Sequence, residues 1–125
     1  MKIKYIGGDE HIGYGLKFGE ELFVVAMCIS NDNLHYLFNS GRVIQLCPYN
    51  LFKVIDHRLP RGWYFNSFTK DDREYPYTQA LWGYHEWCFD GQHYEDLVEM
   101  EEPAHAIFYK RKAELEASIP ALKLP

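Results

Sequence analysis

His85, Cys88 and His93 come nearest to a chemical site in type and spacing. His85 and Cys88 lie three positions apart, so a helix would place both on one face. Zinc needs three or four convergent ligands, and no CxxC or HExxH pattern accompanies this pair. A catalytic cysteine needs an orienting group and an oxyanion hole, and the sequence supplies neither recognisably. We therefore interpret His85 as interfacial and Cys88 as a buried thiol, and we predict no metal, no cofactor and no catalytic residue.

A group of carboxylates follows, between residues 95 and 102. Paired carboxylates bind Mg²⁺ or transfer protons. On an amphipathic helix, however, carboxylates more often form the solvated face, and we interpret them in this way. They are Glu95, Asp96, Glu99, Glu101 and Glu102.

The cations are dispersed along the sequence, at Arg58 and Arg61, at Lys70 and Arg73, and at 110–112. Binding to phosphates would require several of them on one face. The formal net charge of −5 and the pI of about 5.6 disfavour a general nucleic-acid binder. We therefore expect another protein as the partner and keep nucleic acid as an alternative.

Aromatic residues make up 17% of the chain, which is a high fraction. Aromatic side chains on the loops of a small barrel can hold a peptide, and the same rings can stack on bases. Alternatively, they fill a seam between barrel and helices. The candidate binding residues are Tyr14, Tyr36, Tyr49, Trp63, Arg58 and Arg61.

The cysteines and the apolar runs bear on the compartment. The three cysteines, an odd number without CxxC spacing, imply no disulfide framework. The longest apolar run, Leu22–Ile29, is too short to cross a membrane. The N-terminus lacks the apolar stretch of a signal peptide. We expect a cytoplasmic protein that does not enter a membrane.

The first half of the chain has the pattern of short strands with tight turns. The predicted strands are Lys2–Ile6, Glu21–Ile29, Leu34–Phe38, Arg42–Cys47 and Leu51–Ile55. A Gly-rich loop at Gly8–Gly15 separates the first two, and a 3₁₀ turn is predicted near Pro48–Asn50. The strand at Glu21–Ile29 is apolar on both faces, so we expect a second layer to cover its outer face.

Three sequence motifs resemble those of a known group of proteins: Gly15-Leu16-x-x-Gly19-x-x-Leu22-x-Val24, then Asn39-Ser40-Gly41, then Pro48-x-x-Leu51-Phe52-x-Val54. Together they resemble small bacterial and phage SH3-like β-barrel proteins of unassigned function. The resemblance covers the N-terminal half only. It implies a five-stranded SH3-like barrel and no catalytic residues.

The second half favours helices. After a boundary at Asp56–Trp63 and an extended Tyr64–Phe68, helices are predicted over Thr78–Phe89, over Gln92–Met100 and from about Pro103. Gly83 is costly inside a helix, so we expect it where a neighbouring strand or ring comes close. The C-terminal residues from Ser118 are predicted to be a frayed tail.

These patterns predict an α+β protein, mainly β in its N-terminal half. Residues 1–63 form the SH3-like barrel, and residues 64–125 form a helical extension packed on it as one structural unit. The predicted function is a non-enzymatic protein-interaction or inhibitor-type module of bacterial or phage origin. The alternatives are a nucleic-acid-associated regulatory barrel and a small hydrolase or metal-binding protein.

Overall fold

The computed structural model describes residues 1–7 and 14–119, and these form a mixed α+β fold with eight strands and three helices. The strands are β1 (Lys2–Tyr5), β2 (Glu21–Phe23), β3 (Ala26–Ser30), β4 (Asn33–Ser40), β5 (Val43–Pro48), β6 (Phe52–Asp56), β7 (Tyr64–Ser67) and β8 (Ala80–Gly83). A 3₁₀ turn at Tyr49–Leu51 joins β5 to β6. The helices are α1 (His85–Phe89), α2 (His93–Val98) and α3 (Glu102–Ser118).

The strands form two antiparallel sheets. The smaller has the order β2-β1-β6 and the larger the order β5-β4-β3-β8-β7. In the smaller sheet, Ile3 lies opposite Leu22 and Val54, and this row of apolar residues faces the core. Lys2 and Lys4, which flank Ile3 in β1, lie on the opposite face of the strand, as the alternation of side chains requires.

The single strand predicted over Glu21–Ile29 is wrong, because the chain passes from one sheet to the other at Val24 and Val25. Both valines have 0% exposure, yet they belong to different core clusters. The apolar residues on both faces of this segment therefore mark a crossing between two cores.

Tight turns follow β3 and β4, as the sequence pattern predicts, although Asn39 and Ser40 belong to β4 itself. Asn31 and Asp32 have φ of 49° and 67° in the β3–β4 turn, which is the conformation that matches the twist of a two-residue hairpin. Gly41 has φ of 57° in the β4–β5 turn. The 3₁₀ turn near Pro48 is also confirmed.

The helix predicted over Thr78–Phe89 is wrong in its first half, where the chain forms β8 before turning into the short α1. Strand β8 pairs with β3 on one side and with β7 on the other. At Gly83, φ is 156° and an added Cβ would lie 2.6 Å from the Cβ of Ala26. The expected close approach of a strand at Gly83 is thus confirmed, within a strand rather than a helix.

The three helices cover one face of the larger sheet, called here the helix face. Phe108 and Leu115 of α3 and Trp87 of α1 pack with Val25 and Leu37 in the core beneath them. The second core lies between the two sheets and is centred on Phe38 and Phe52. Trp63 packs against both cores.

Two predicted segments fall largely outside the described residues: most of the Gly-rich loop, at 8–13, and the end of the tail, at 120–125. None of the helices within the described residues has the length and hydropathy of a membrane span. The division of the chain at residue 63 stays a prediction, and so does the cytoplasmic compartment.

Candidate binding groove

A cavity of about 380 Å³ lies between the helix face of the larger sheet and the segments that follow β7 and β8. We call it the acidic groove. Its floor is formed by sheet residues and its walls by α1, α2 and the loop before β8. It is lined by Cys28, Ser30, Leu46, Asn66, Phe68, Glu74, Tyr77, Thr78, Leu81, Trp87, Cys88, Phe89, Asp90, Gly91 and Tyr94.

The wall formed by α1 is fixed to the sheet by two hydrogen bonds. The Trp87 indole N–H donates to the Met27 carbonyl at 3.1 Å. The Asn66 amide donates from β7 to the Cys88 carbonyl at 3.0 Å, which satisfies a carbonyl at the end of α1. The Trp87 ring also meets the Tyr94 ring of α2 edge-on, with centroids 5.8 Å apart.

The loop wall is fixed at the β3–β4 turn. The Gln79 side chain accepts from the Asp32 N–H at 2.6 Å and donates to the Asp32 carboxylate at 2.9 Å. The Asn31 N–H donates to the Pro76 carbonyl at 2.9 Å. These bonds hold Tyr77 at the rim, where its ring is largely exposed.

The carboxylates are concentrated in the stretch of chain that supplies most of the groove lining. Residues 69–103, called here the acidic segment, contain ten carboxylates and two cations, whereas the rest of the chain contains eight carboxylates and eleven cations. Glu74 and Asp90 of this segment line the groove itself, and both are exposed. The ten are Asp71, Asp72, Glu74, Glu86, Asp90, Glu95, Asp96, Glu99, Glu101 and Glu102.

Glu86 of the acidic segment is neutralised by a partner. The Arg111 guanidinium donates two hydrogen bonds to its carboxylate, at 2.9 and 2.8 Å, and also contacts Glu114. These bonds lower the pKa of Glu86 to about 2. Because Arg111 belongs to α3, this ion pair ties α1 to the long helix and adds little to the negative potential at the groove.

The two thiols in the groove are protonated at neutral pH. Burial raises the pKa of Cys28 to about 11 and that of Cys88 to about 11. Because the thiolate is the nucleophile and the metal ligand, both sulfurs behave as apolar lining at neutral pH.

A second, more polar cavity of about 330 Å³ lies on the other side of α1, beside α3. His85, Tyr84 and Arg111 line it. The Tyr84 hydroxyl and the buried His93 Nε2 share a hydrogen bond of 2.6 Å. Burial lowers the pKa of His93 and raises that of Tyr84, so both groups stay neutral at pH 7.

The residues that the sequence singled out for chemistry are separated in the structure. Cys88 faces the acidic groove, His85 lines the second cavity, and His93 is bonded to Tyr84. No group of three or more potential metal ligands occurs within residues 1–7 and 14–119. Among the carboxylates at 95–102, all but the half-buried Asp96 are exposed, as the predicted solvated face requires.

None of the six predicted binding residues lines the acidic groove. Tyr36 is buried and packs edge-on against Phe52 at 5.9 Å. Half of Tyr49 is exposed, and its proximity adds to burial in raising the pKa of Tyr36. Tyr14 is half-buried against the same core.

The other three predicted binding residues, Arg58, Arg61 and Trp63, belong to the boundary segment Asp56–Trp63 that joins the two halves of the chain. The Arg58 guanidinium is paired with Asp56 at 2.7 Å. Arg61 is exposed, and Trp63 packs against both cores. The six therefore remain candidates without a shared site.

Sequence reasoning missed the residues that converge on the groove, chiefly Glu74, Tyr77, Asp90 and Tyr94. The available signal was the charge of the segment, since ten of the eighteen carboxylates lie within residues 69–103. When charges are counted over the whole chain, the excess of cations elsewhere hides the local excess of carboxylates in this segment.

The groove combines apolar, aromatic and acidic surface. Its aromatic walls offer apolar area and ring faces, and its rim offers carboxylates, so a cationic or amphipathic side chain fits its chemistry. Comparisons of the chain with protein-family models, with curated proteins and with solved structures find no match.

Proposed function

We propose that this protein is a non-enzymatic interaction module of the inhibitor type, which binds a basic protein partner through the acidic groove. The observation that carries this proposal is the charge of the segment that supplies most of the groove lining, which has ten carboxylates, one of them paired with Arg111, against two cations. Charge complementarity of this kind steers a basic partner and excludes acidic ones.

Besides charge, the groove offers aromatic surface against which a side chain of the partner can be buried. Trp87, Tyr94 and Phe89 line the groove together with Glu74 and Asp90, and Phe89 and Tyr94 are the more exposed of the three rings. A lysine or arginine side chain placed there would bury its apolar stem against the rings and keep its charge at the rim. Such anchors contribute most of the affinity of protein interfaces.

The finer fold proposal is the five-stranded SH3-like barrel of residues 1–63, with β2 and β3 in place of the one strand predicted over Glu21–Ile29. It is supported by the chain crossing at Val24-Val25, which joins β2 of one sheet to β3 of the other. It is also supported by the 3₁₀ turn between β5 and β6 and by the core shared between the two sheets. In this proposal β7 and β8 extend the second sheet of the barrel.

Nucleic acid remains the second candidate partner. One observation favours it: Lys4 lies directly opposite Lys53 in the smaller sheet, a like-charge pair that an anion would relieve. Against it, Arg58 and Arg111 are paired with carboxylates, and Lys112 donates to Asn39. The proposal of a small hydrolase or metal-binding protein is weaker still, since His85 and Cys88 line different cavities.

The test is a titration of the ¹⁵N-labelled full chain with octalysine and, separately, octaglutamate. We expect octalysine to shift the amide signals around Glu74, Asp90 and Tyr94, with an affinity that falls as salt rises. Octaglutamate should leave these signals unchanged. Shifts confined to the smaller sheet around Lys4 and Lys53, or binding of octaglutamate alone, would overturn the proposal.

A further inference from the structure

Strand β7 (Tyr64–Ser67) is an edge strand that contains neither a charged residue nor a proline. Its one strand neighbour among the described residues is β8. The other edges carry charges or a proline: β2 is short and contains Glu21, β6 contains Lys53 and Asp56, and β5 ends at Pro48. By contrast, β7 has the sequence YFNS, and uncharged edges of this kind are templates for pairing with another chain.

The ladder with β8 indicates which backbone groups of β7 face outward. The Phe68 N–H donates to the Gln79 carbonyl at 2.8 Å, in the register of the β7–β8 pair. Because the direction of these groups alternates along a strand, those of Phe65 and Ser67 point away from β8. The Ser67 N–H is already bonded to the Asn66 side chain at 2.9 Å. Phe65 therefore presents the accessible N–H and C=O pair.

The side chains of β7 leave apolar surface on both faces of this edge. On the helix face, Tyr64 is 50% exposed and contacts the rings of His85 and Phe89, with centroids 5.3 and 5.9 Å away. On the opposite face, Phe65 is 54% exposed and lies 5.2 Å from the Trp82 ring. An added strand would cover both Tyr64 and Phe65.

We propose that β7 pairs with an extended segment of the partner in which apolar and cationic residues alternate. This inference rests on the proposed function, because it assumes a basic partner. The partner residue opposite Phe65 lies on the face of Phe65 and Trp82, which favours an apolar side chain. Its neighbours lie on the helix face beside Asn66, which lines the acidic groove with Glu74 and Asp90. Cationic side chains complement the carboxylates on that face. A second copy of this chain would instead bring another acidic segment, whose charges have the same sign.

Strand pairing makes a prediction that charge attraction alone does not. In the proposed register, the apolar residues of the partner segment point their N–H groups toward β7, and the cationic residues point theirs away. The probe is the blocked peptide acetyl-(Lys-Val)₄-amide. One variant carries backbone N-methyl groups on the valines, and the matched control carries them on the lysines.

We expect methylation at the valines to weaken binding to the full chain at least tenfold and methylation at the lysines to change it less than threefold. The unmodified peptide should also slow hydrogen exchange of the Phe65 amide. Phe65→Lys should weaken binding at least fivefold, whereas Phe18→Lys, at another exposed phenylalanine, should leave it unchanged.

Equal effects of the two methylations, or binding without protection of the Phe65 amide, would overturn strand pairing and leave the proposed function standing. Failure of both this peptide and octalysine to bind would overturn both. If the protein dimerised with rising concentration and Phe65→Lys abolished the dimer, the β7 edge would pair with a second copy of this chain. That result would overturn the proposed pairing with a basic partner segment.

Discussion

The two halves of this chain contribute strands to the same five-stranded sheet but differ in charge and in exposed surface. Residues before β7 supply β3, β4 and β5 together with the smaller sheet. Residues from Tyr64 onward supply β7, β8 and the helices, and they carry the acidic segment and most of the groove lining. The second half therefore does two things: it completes the core, and it presents a charged surface that is not part of the core.

The largest difference between the halves is expected in the loss of stability when a glycine is replaced by alanine. In Gly83→Ala, the added Cβ would lie 2.6 Å from the Cβ of Ala26 and 3.0 Å from the Trp87 ring. Because β3 and α1 leave no space, we expect a loss of about 3 kcal/mol in the free energy of unfolding. Urea denaturation checks this value.

Gly41→Ala is the matched control in the first half, since Gly41 also has positive φ but nothing lies within 4 Å of its added Cβ. We expect a loss of about 1 kcal/mol there, from backbone strain alone. Equal losses at the two glycines would show that the β3–β8 contact is looser than described.

A smaller loss is expected for Tyr84→Phe, which leaves the buried His93 Nε2 without its partner at 2.6 Å. An unsatisfied buried polar group costs about 1–3 kcal/mol. The half-exposed Tyr49 of the first half provides the control, and Tyr49→Phe should change the unfolding free energy by less than about 0.5 kcal/mol. If Tyr84→Phe left the unfolding free energy unchanged, that would contradict a tight junction between α2 and the residue that directly follows β8.

The Glu86–Arg111 pair makes stability depend on pH at the acid end. The folded pKa of Glu86 is lowered from 4.5 to about 2, so its stabilisation is complete above about pH 4.5 and is lost as the pH falls through about 2. We expect Glu86→Gln to remove about 1–2 kcal/mol at pH 7 and little at pH 2. Thermal melts over this range test it, and the exposed Glu116→Gln should alter neither value.

Local patterns predicted the first half well, because its turns and apolar alternation are set by neighbouring residues. The break at Val24-Val25 could not be predicted, since two buried valines look the same in one strand or in a crossing between sheets. The same limit applies to 78–89, where Leu81 and Trp82 fit a helical stripe. Pairing with β3 and β7 outweighed that local preference.

The groove was harder to predict than the fold. Its lining comes from four strands, two loops and two helices that are distant in sequence, and includes Cys28, Glu74 and Tyr94. The sequence did identify Cys88 and the carboxylates of α2, but it interpreted them as a buried thiol and a solvated face. Both interpretations are compatible with the structure, and neither shows that Glu74 and Asp90 meet at one rim.

The central claim is that the carboxylates at the groove serve binding and not stability. The most direct measurement compares octalysine affinity and unfolding free energy for Glu74→Gln/Asp90→Asn with those for Glu99→Gln/Glu101→Gln, which removes equal charge elsewhere in the acidic segment. Asparagine at position 90 retains an oxygen that can accept from the Gln92 N–H, as the Asp90 carboxylate does.

We expect the groove variant to bind octalysine about tenfold more weakly, a loss of about 1.4 kcal/mol in binding, while its unfolding free energy changes by less than about 0.5 kcal/mol. The control variant should lose less than threefold in affinity. A groove variant that unfolds more easily yet binds octalysine as well as the wild type would contradict the account.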